Sequence, residues 1–159
     1  LLNYLAERPA DHEVRMVLAQ AYESERNLEG AAREYAQVVE ASPDNLVALN
    51  NLAWVYNEMG DTRAEDYGRR AYALAAENPN VVDTLAAILV TQGDLQEGIE
   101  LRRKAVSLSD GRPDYRYRLA SALAAAGERD EARSILDDLV AKNFDFESRE
   151  EARKLREQL

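Results

Sequence analysis

The feature that most constrains the fold of this sequence is an internal repeat of 34 residues, shortened to 33 in one unit. Pro9 and Pro43 stand 34 residues apart, and Gly60, Gly93 and Gly127 follow one another at intervals of 33 and 34. Two independent sets of landmarks therefore give one period. Periods of this length are typical of arrays in which each unit buries its apolar side against its neighbours.

The period divides the chain, which we expect to be a single domain, into four units with an additional segment at each end. We predict a remnant helix over residues 1–11, units over 12–45, 46–78, 79–112 and 113–146, and a capping helix over 147–159. Each unit repeats a leucine (Leu18, Leu52, Leu85 and Leu119) and, 12 or 13 residues later, a small residue (Ala31, Ala64, Gly98 and Ala132). The spacing of Leu18 and Tyr22 places both on one helical face, and in the other three units a glycine then ends the first helix. The fold class predicted is all-α, with two helices in each unit.

Polar residues at the unit boundaries predict where the helices begin. We expect N-caps at Asp11, Asn45, Asp61 and Asn78, the last followed by a proline at the first helical position. The pair Ser148 and Glu151 has the spacing of a capping box before the final helix. The residue missing from the second unit is expected in the turn around Asp61, since a turn absorbs a deletion without rotating an apolar stripe.

Composition excludes several classes of function. The net charge of −10 disfavours binding to phosphate backbones, so we expect no nucleic-acid partner. With no cysteine and one histidine, ordinary metal sites are not expected, and no phosphate-binding or hydrolase motif occurs. No apolar run reaches the roughly 18–20 residues of a membrane span. We therefore expect no cofactor, no metal and no catalysis.

The Leu-Ala…Tyr pattern, the Gly-Asp pairs at the turns and the alanines at 31, 64 and 132 resemble the tetratricopeptide repeat (TPR) family. The resemblance extends over nearly all of residues 1–142. It implies a right-handed α-solenoid whose concave groove is lined by the first helix of each unit, and a non-catalytic scaffold that binds a peptide or helix of a partner protein there. Arg26 departs from the pattern by replacing the turn glycine of the first unit, and Gly98 departs by replacing an alanine.

A finer resemblance involves the runs 50–56, 70–74 and 78–85. They are similar to the C-terminal repeats of bacterial envelope lipoproteins that accompany exopolysaccharide synthesis and exosortase (PEP-CTERM) protein sorting. This resemblance implies the periplasm or cell envelope, with the cytoplasm as the alternative. Because Leu1, Tyr4 and Leu5 are typical of the second helix of a preceding unit, we expect the array to be cut there and its apolar end to self-associate.

First-helix residues off the packing stripe are expected to line the groove. The predicted partner-binding residues are Gln20, Asn50, Asn51, Trp54, Asn57, Glu58, Asp83, Thr91, Tyr117 and Ser121. The positions assigned to the groove include five carboxylates (Glu13, Glu23, Glu58, Asp83 and Asp114) and no lysine or arginine. This charge favours a neutral to basic peptide or helix as the partner.

Several alternatives stay open at this point. Trp54 is either an aromatic anchor for a ligand or a core residue between neighbouring first helices. Asn50 and Asn51 either bind a ligand's main chain, or are solvated or hydrogen-bonded to neighbouring helices. The whole chain is either a binding module, a structural spacer in a longer array, or a regulatory domain of a larger enzyme.

Overall fold

The computed structural model describes residues 1–141 and 146–159, and within them all regular structure is helical. The ten helices in this part of the chain are α1 (Leu2–Glu7), α2 (His12–Ser24), α3 (Leu28–Ala41), α4 (Leu46–Glu58), α5 (Ala64–Leu74), α6 (Pro79–Gln92), α7 (Leu95–Leu108), α8 (Pro113–Ala125), α9 (Arg129–Ala141) and α10 (Arg149–Gln158). The end of the predicted fourth unit, at residues 142–145, lies outside the described residues.

The chain divides into two compact units, Leu1–Ala76 and Glu77–Leu159. In the first, called unit 1, α2 packs against α3, α3 against α4, and α4 against α5. In the second, called unit 2, α6 packs against α7, α7 against α8, α8 against α9, and α9 against α10. Within each unit, helices that follow one another in the chain thus pack together, and the predicted all-α fold class is confirmed.

Small residues allow the two helices of each pair to approach closely. Ala31, Ala64 and Ala132 are at most 1% exposed, and Gly98 is buried at the equivalent place. A Cβ atom at Gly98 would lie 2.7 Å from Cγ2 of Val90 and 3.3 Å from the carbonyl oxygen of Ala86. A side chain at Gly98 would therefore force Val90 or the α6–α7 contact to shift.

The turns inside the helix pairs have a left-handed residue at the predicted place. Gly60, Gly93 and Gly127 have φ values of 68°, 93° and 83°. Arg26 adopts the same conformation, with φ of 60°, although it carries a side chain. The turn geometry of the first unit is therefore kept where the glycine of the pattern is missing.

Three of the four predicted N-caps are confirmed. Asp11 accepts a hydrogen bond from the backbone N–H of Val14, Asn45 from that of Ala48 and Asn78 from that of Asn80.

The prediction for Asp61 is wrong. Its carboxylate accepts from the backbone N–H of Arg63 at 2.9 Å and from the Arg63 side chain, while α5 begins only at Ala64. These hydrogen bonds lower the pKa of Asp61 to about 2. The capping box is wrong as well, since Ser148 precedes α10 without a side-chain capping bond.

The residue missing from the second unit falls between Gly60 and Ala64, where residues 61–63 form the turn, and the second helix of this unit is short. The helices α3, α7 and α9 each begin three residues before their small residue, whereas α5 begins at its small residue, Ala64. The helix α5 thus lacks the first turn that α3, α7 and α9 have, and it has no side-chain cap. The buried positions that follow, Gly68 and Ala71, keep their places on the helix.

Candidate functional site

The ten predicted site residues lie on first helices of their pairs. Unit 1 holds Gln20 on α2 and Asn50, Asn51, Trp54, Asn57 and Glu58 on α4. Unit 2 holds Asp83 and Thr91 on α6 and Tyr117 and Ser121 on α8. The two groups are described separately.

In unit 1, α4 presents its polar side opposite a buried apolar one. Leu49, Leu52 and Ala53 are fully buried. The other side of the helix carries Val47, which is 54% exposed, and Trp54, which is partly buried. Val47 and Trp54, two turns apart on α4, therefore place an aliphatic group and the only tryptophan of the chain on one side of the helix.

The amides of α4 differ in their surroundings. Asn50 is partly buried, and its Oδ1 is shielded from solvent without a hydrogen-bond partner among the described residues. Asn51 donates from Nδ2 to the hydroxyl of Tyr35 at 3.2 Å. Asn57 is partly buried and Glu58 is exposed. Of the two adjacent asparagines, Asn51 therefore has a partner inside the protein.

Tyr35 joins α2 and α4 from the helix between them. Its ring on α3 is fully buried, and its hydroxyl donates to Oε2 of Glu23 on α2 at 2.8 Å while accepting from Asn51. Burial, followed by the hydrogen bond to Glu23, raises the pKa of Tyr35. The side chain of Glu23 is thus held at a fixed place beside α4.

The exposed side of α2 continues this surface. Glu13 and Gln20 are exposed, Val17 is 53% exposed, and Met16 is partly buried. We call the surface formed by both helices the unit 1 face. It consists of Glu13, Met16, Val17, Gln20, Glu23, Val47, Asn50, Asn51, Trp54, Asn57 and Glu58.

In unit 2 the structure corrects the expectation that Asp83 is open to a ligand. Asp83 is 6% exposed, and its two oxygens pair with Arg102 on α7 and with Arg118 on α8, the latter at 2.5 Å. Burial lowers the pKa of Arg102 even though Asp83 opposes that effect. Asp83 is thus an internal counter-ion that links three helices.

The groove positions assigned from the sequence did not include Arg118 of α8. Its side chain is 44% exposed and lies over the ring of Tyr115, 5.7 Å from the centroid. The Tyr115 hydroxyl donates to Oδ1 of Asn80 at 2.6 Å. The sequence pattern that could have indicated Arg118 is its i, i+3 spacing from Tyr115, which places both side chains on one side of α8.

The remaining predicted residues of unit 2 make mostly local contacts. Thr91 donates its hydroxyl proton to the carbonyl of Ala87 at 2.9 Å, and Ser121 is exposed. Tyr117 packs against the cluster formed by Ala120, Leu136 and Ala152. Burial, followed by the nearby charge of Glu151, raises the pKa of Tyr117. Tyr117 therefore contributes to the packing of α10 against α8 and α9.

Two further properties concern the described ranges 1–141 and 146–159. They contain no group of three or more histidine, aspartate or glutamate side chains arranged to hold a metal ion. None of the helices found there is both long and apolar enough to cross a bilayer.

The helix pairs, their small contact residues and their left-handed turns define a tandem helical-repeat protein of the α-solenoid class. Two family models described as tetratricopeptide repeat match residues 12–45 and 89–159. The chain is a tetratricopeptide repeat protein.

Known proteins with similar sequences are much longer than this chain. It is 33% identical over 117 residues to cellulose synthase 2 operon protein C of Komagataeibacter xylinus, covering 70% of this chain and 9% of that protein. It is 28% identical over 97 residues to the human protein O-mannosyl-transferase TMTC1, covering 60% of this chain and 11% of that protein. The chain thus spans about a tenth of the length of either relative.

Among solved structures, a thermophilic TPR protein of Thermus thermophilus has the same fold. It superposes with a TM-score of 0.76 at 17% identity, over 97% of this chain and 84% of that one.

Proposed function

We propose that this chain is a non-catalytic interaction module that binds a peptide or helix of a partner protein on the unit 1 face. The observation that supports this function is the composition of that face. Aliphatic side chains, a tryptophan and amides lie together on α2 and α4, whose opposite sides are buried. Binding energy at protein interfaces is concentrated in such aromatic anchors.

The residues have distinct roles in this proposal. Trp54 contributes apolar contact area, and Val47, two turns earlier on α4, extends it. Gln20 and Asn57 supply amide donors and acceptors for the ligand's main chain, and Asn50, whose Oδ1 is shielded from solvent, supplies a donor from Nδ2. Asn51 and Tyr35 position the surface rather than contact the ligand, because they are hydrogen-bonded to each other.

The test is site-specific crosslinking combined with substitution of Trp54. A photoreactive phenylalanine analogue at position 54 should form an adduct with one partner segment in cells. The same group at Glu40, which is exposed on α3, should not. Against that segment, Trp54→Ala should weaken binding more than tenfold, since truncation of a hot-spot residue costs about 2 kcal/mol or more.

The helical circular dichroism signal of Trp54→Ala should equal that of the parent chain. If Trp54→Ala melts the protein, Trp54 is a core residue. In that case Gln20→Ala and Asn57→Ala, which remove smaller side chains from the same face, test whether the surface binds the segment. Unchanged affinity in both variants would contradict the proposed site, and so would equal adduct yields at positions 54 and 40. The remaining interpretations would then be a structural spacer or a regulatory domain.

We propose further that the partner belongs to the machinery of bacterial exopolysaccharide export or protein sorting in the cell envelope. The relative from Komagataeibacter xylinus supports this context, because its name places it in a cellulose synthase operon. Deletion of the gene for this chain should reduce secreted polysaccharide. Complementation with the parent chain should restore it, and complementation with Trp54→Ala should not.

A further inference from the structure

We infer that the unit 1 face selects a cationic amphipathic segment of its partner, and that Glu23 is the residue that recognises a lysine or arginine of that segment. This inference rests on the proposed function and names the chemistry of the ligand. It begins from the apolar part of the face, where Val17 and Val47 are 53% and 54% exposed and Trp54 is partly buried. Such a surface matches the apolar side of an amphipathic helix or strand.

The charges around this apolar part all have one sign. The unit 1 face contains Glu13, Glu23 and Glu58 and no lysine, arginine or histidine. Beside the face, Arg26 in the turn after α2 places its Nη1 3.9 Å from Oε2 of Glu58. Arg26 thus offsets part of the negative charge of Glu58, and it makes no such contact with Glu13 or Glu23. Charge complementarity therefore favours positive charge on the ligand.

Glu23 differs from the other two carboxylates because it is held in place. The buried Tyr35 hydroxyl donates to its Oε2 at 2.8 Å, and Asn51 in turn donates to Tyr35. Oε1 is the oxygen that remains to accept from a ligand ammonium or guanidinium group. Because the hydrogen bond from Tyr35 already restrains its side chain, Glu23 loses less side-chain entropy than a free glutamate when the ligand binds. Glu13 is exposed on α2, and its charge contributes to steering.

The chain of contacts defines which residue touches the ligand and which residue acts through another. Glu23 meets the cation, Tyr35 orients Glu23, and Asn51 orients Tyr35. Substitution of Tyr35 should therefore change affinity only when both Glu23 and a ligand cation are present. A purely structural role of Tyr35 would instead change the affinity for every ligand.

The test measures binding of two labelled synthetic peptides by fluorescence anisotropy. Both are 18-residue amphipathic helices with leucines on one side, and the other side carries lysines in the first peptide and glutamines in the second. The parent chain should bind the lysine peptide at least tenfold more tightly at an ionic strength of about 0.05 M, with a smaller preference at about 0.15 M because salt screens exposed charges.

Substitutions then assign the preference to one residue. Glu23→Gln should weaken the lysine peptide at least fivefold and leave the glutamine peptide unchanged. Glu40→Gln removes the same charge from an exposed site on α3 and should change either affinity by less than twofold. Tyr35→Phe should weaken the lysine peptide two- to threefold, and should add nothing further in a chain that already carries Glu23→Gln.

The outcomes separate this inference from the proposed function. If both peptides bind equally and Trp54→Ala weakens both, the face binds polypeptides without charge selection, and only the inference is overturned. If Glu23→Gln and Glu40→Gln lose the same affinity for the lysine peptide, the preference comes from the net charge of the chain and not from Glu23. That result would also overturn the inference. If the lysine peptide does not bind, the inference is overturned. The proposed function is tested independently by the crosslinking at position 54.

Discussion

Arg26 occupies a backbone conformation that the other three helix pairs assign to glycine. Its φ of 60° lies in the left-handed region, which costs a residue with a side chain about 1–2 kcal/mol. Glycine avoids this strain but loses more backbone entropy on folding, which costs about 0.5–1 kcal/mol. The exposed Arg26–Glu58 pair, at 3.9 Å, contributes little in return.

We therefore expect Arg26→Gly to increase the free energy of unfolding of unit 1 by about 0.5–1 kcal/mol. Urea unfolding followed by Trp54 fluorescence measures this, because Trp54 is the only tryptophan and lies in unit 1. As a control, Gly93→Ala should lower the urea midpoint of unfolding of unit 2, measured by circular dichroism. Gly93 has φ of 93° and a Cβ there would touch nothing, so any loss comes from backbone strain alone. A destabilised Arg26→Gly would show that the turn is not strained.

The candidate site could be predicted from the sequence where local spacing decides it. Asn50, Trp54 and Asn57 share a side of one helix because they are separated by three or four residues. The pairing of Asp83 could not be predicted, since its partners lie 19 and 35 residues further along the chain. Such contacts depend on the directions of long side chains across three helices, which a repeat period does not determine.

At the scale of the elements, the contact between α6 and α7 is sensitive to one added methyl group. The Cβ of an alanine at position 98 would lie 2.7 Å from Cγ2 of Val90 and 3.3 Å from the carbonyl oxygen of Ala86. Val90 is itself branched at Cβ, so it has few rotamers with which to move away. This explains why glycine replaces the alanine found in the other units.

We expect Gly98→Ala to lower the free energy of unfolding by about 1–3 kcal/mol through overpacking. The double variant Gly98→Ala/Val90→Ala should recover part of this loss, and a double-mutant cycle by urea unfolding measures the coupling. Because alanine favours a helix interior over glycine by about 1 kcal/mol, a net loss assigns the effect to the contact. Additive changes would contradict the crowding at this site.

Sequence patterns predicted the helices better than their ends. The apolar spacing within each unit placed every helix, because burial of one side is repeated over several turns. A cap depends on two or three residues, and there the prediction for Asp61 failed since Arg63 takes both its carboxylate oxygens. The same limit applies to Ser148, whose side chain makes no capping bond to α10.

At the scale of the whole molecule, the apolar start of the chain is only partly covered. Leu1, Leu2 and Tyr4 are 55%, 58% and 40% exposed. Leu1 and Leu2 border a cleft of about 460 Å³ that Leu18 and Tyr22 also line. The expectation that Leu5 belongs to this exposed end is wrong, because Leu5 is 6% exposed.

We expect the chain to self-associate reversibly through this end, since contiguous exposed apolar surface favours association. Sedimentation velocity over a range of concentrations should show a rising weight-average mass for the parent chain and a constant one for Leu2→Asp. Leu74→Asp introduces the same charge at a site that is 48% exposed on α5 and should behave like the parent chain. A monomeric parent chain, or equal effects of both substitutions, would contradict this expectation.

The shortened start of α5 has a consequence for how such arrays change over evolutionary time. One residue has been lost between Gly60 and Ala64, yet Gly68 and Ala71 still face inward. Sequence length can therefore drift at a helix start without altering the residues that specify packing. When sequences of related repeat proteins are aligned, we therefore expect insertions and deletions at the starts of helices. Inside the helices we expect substitutions only.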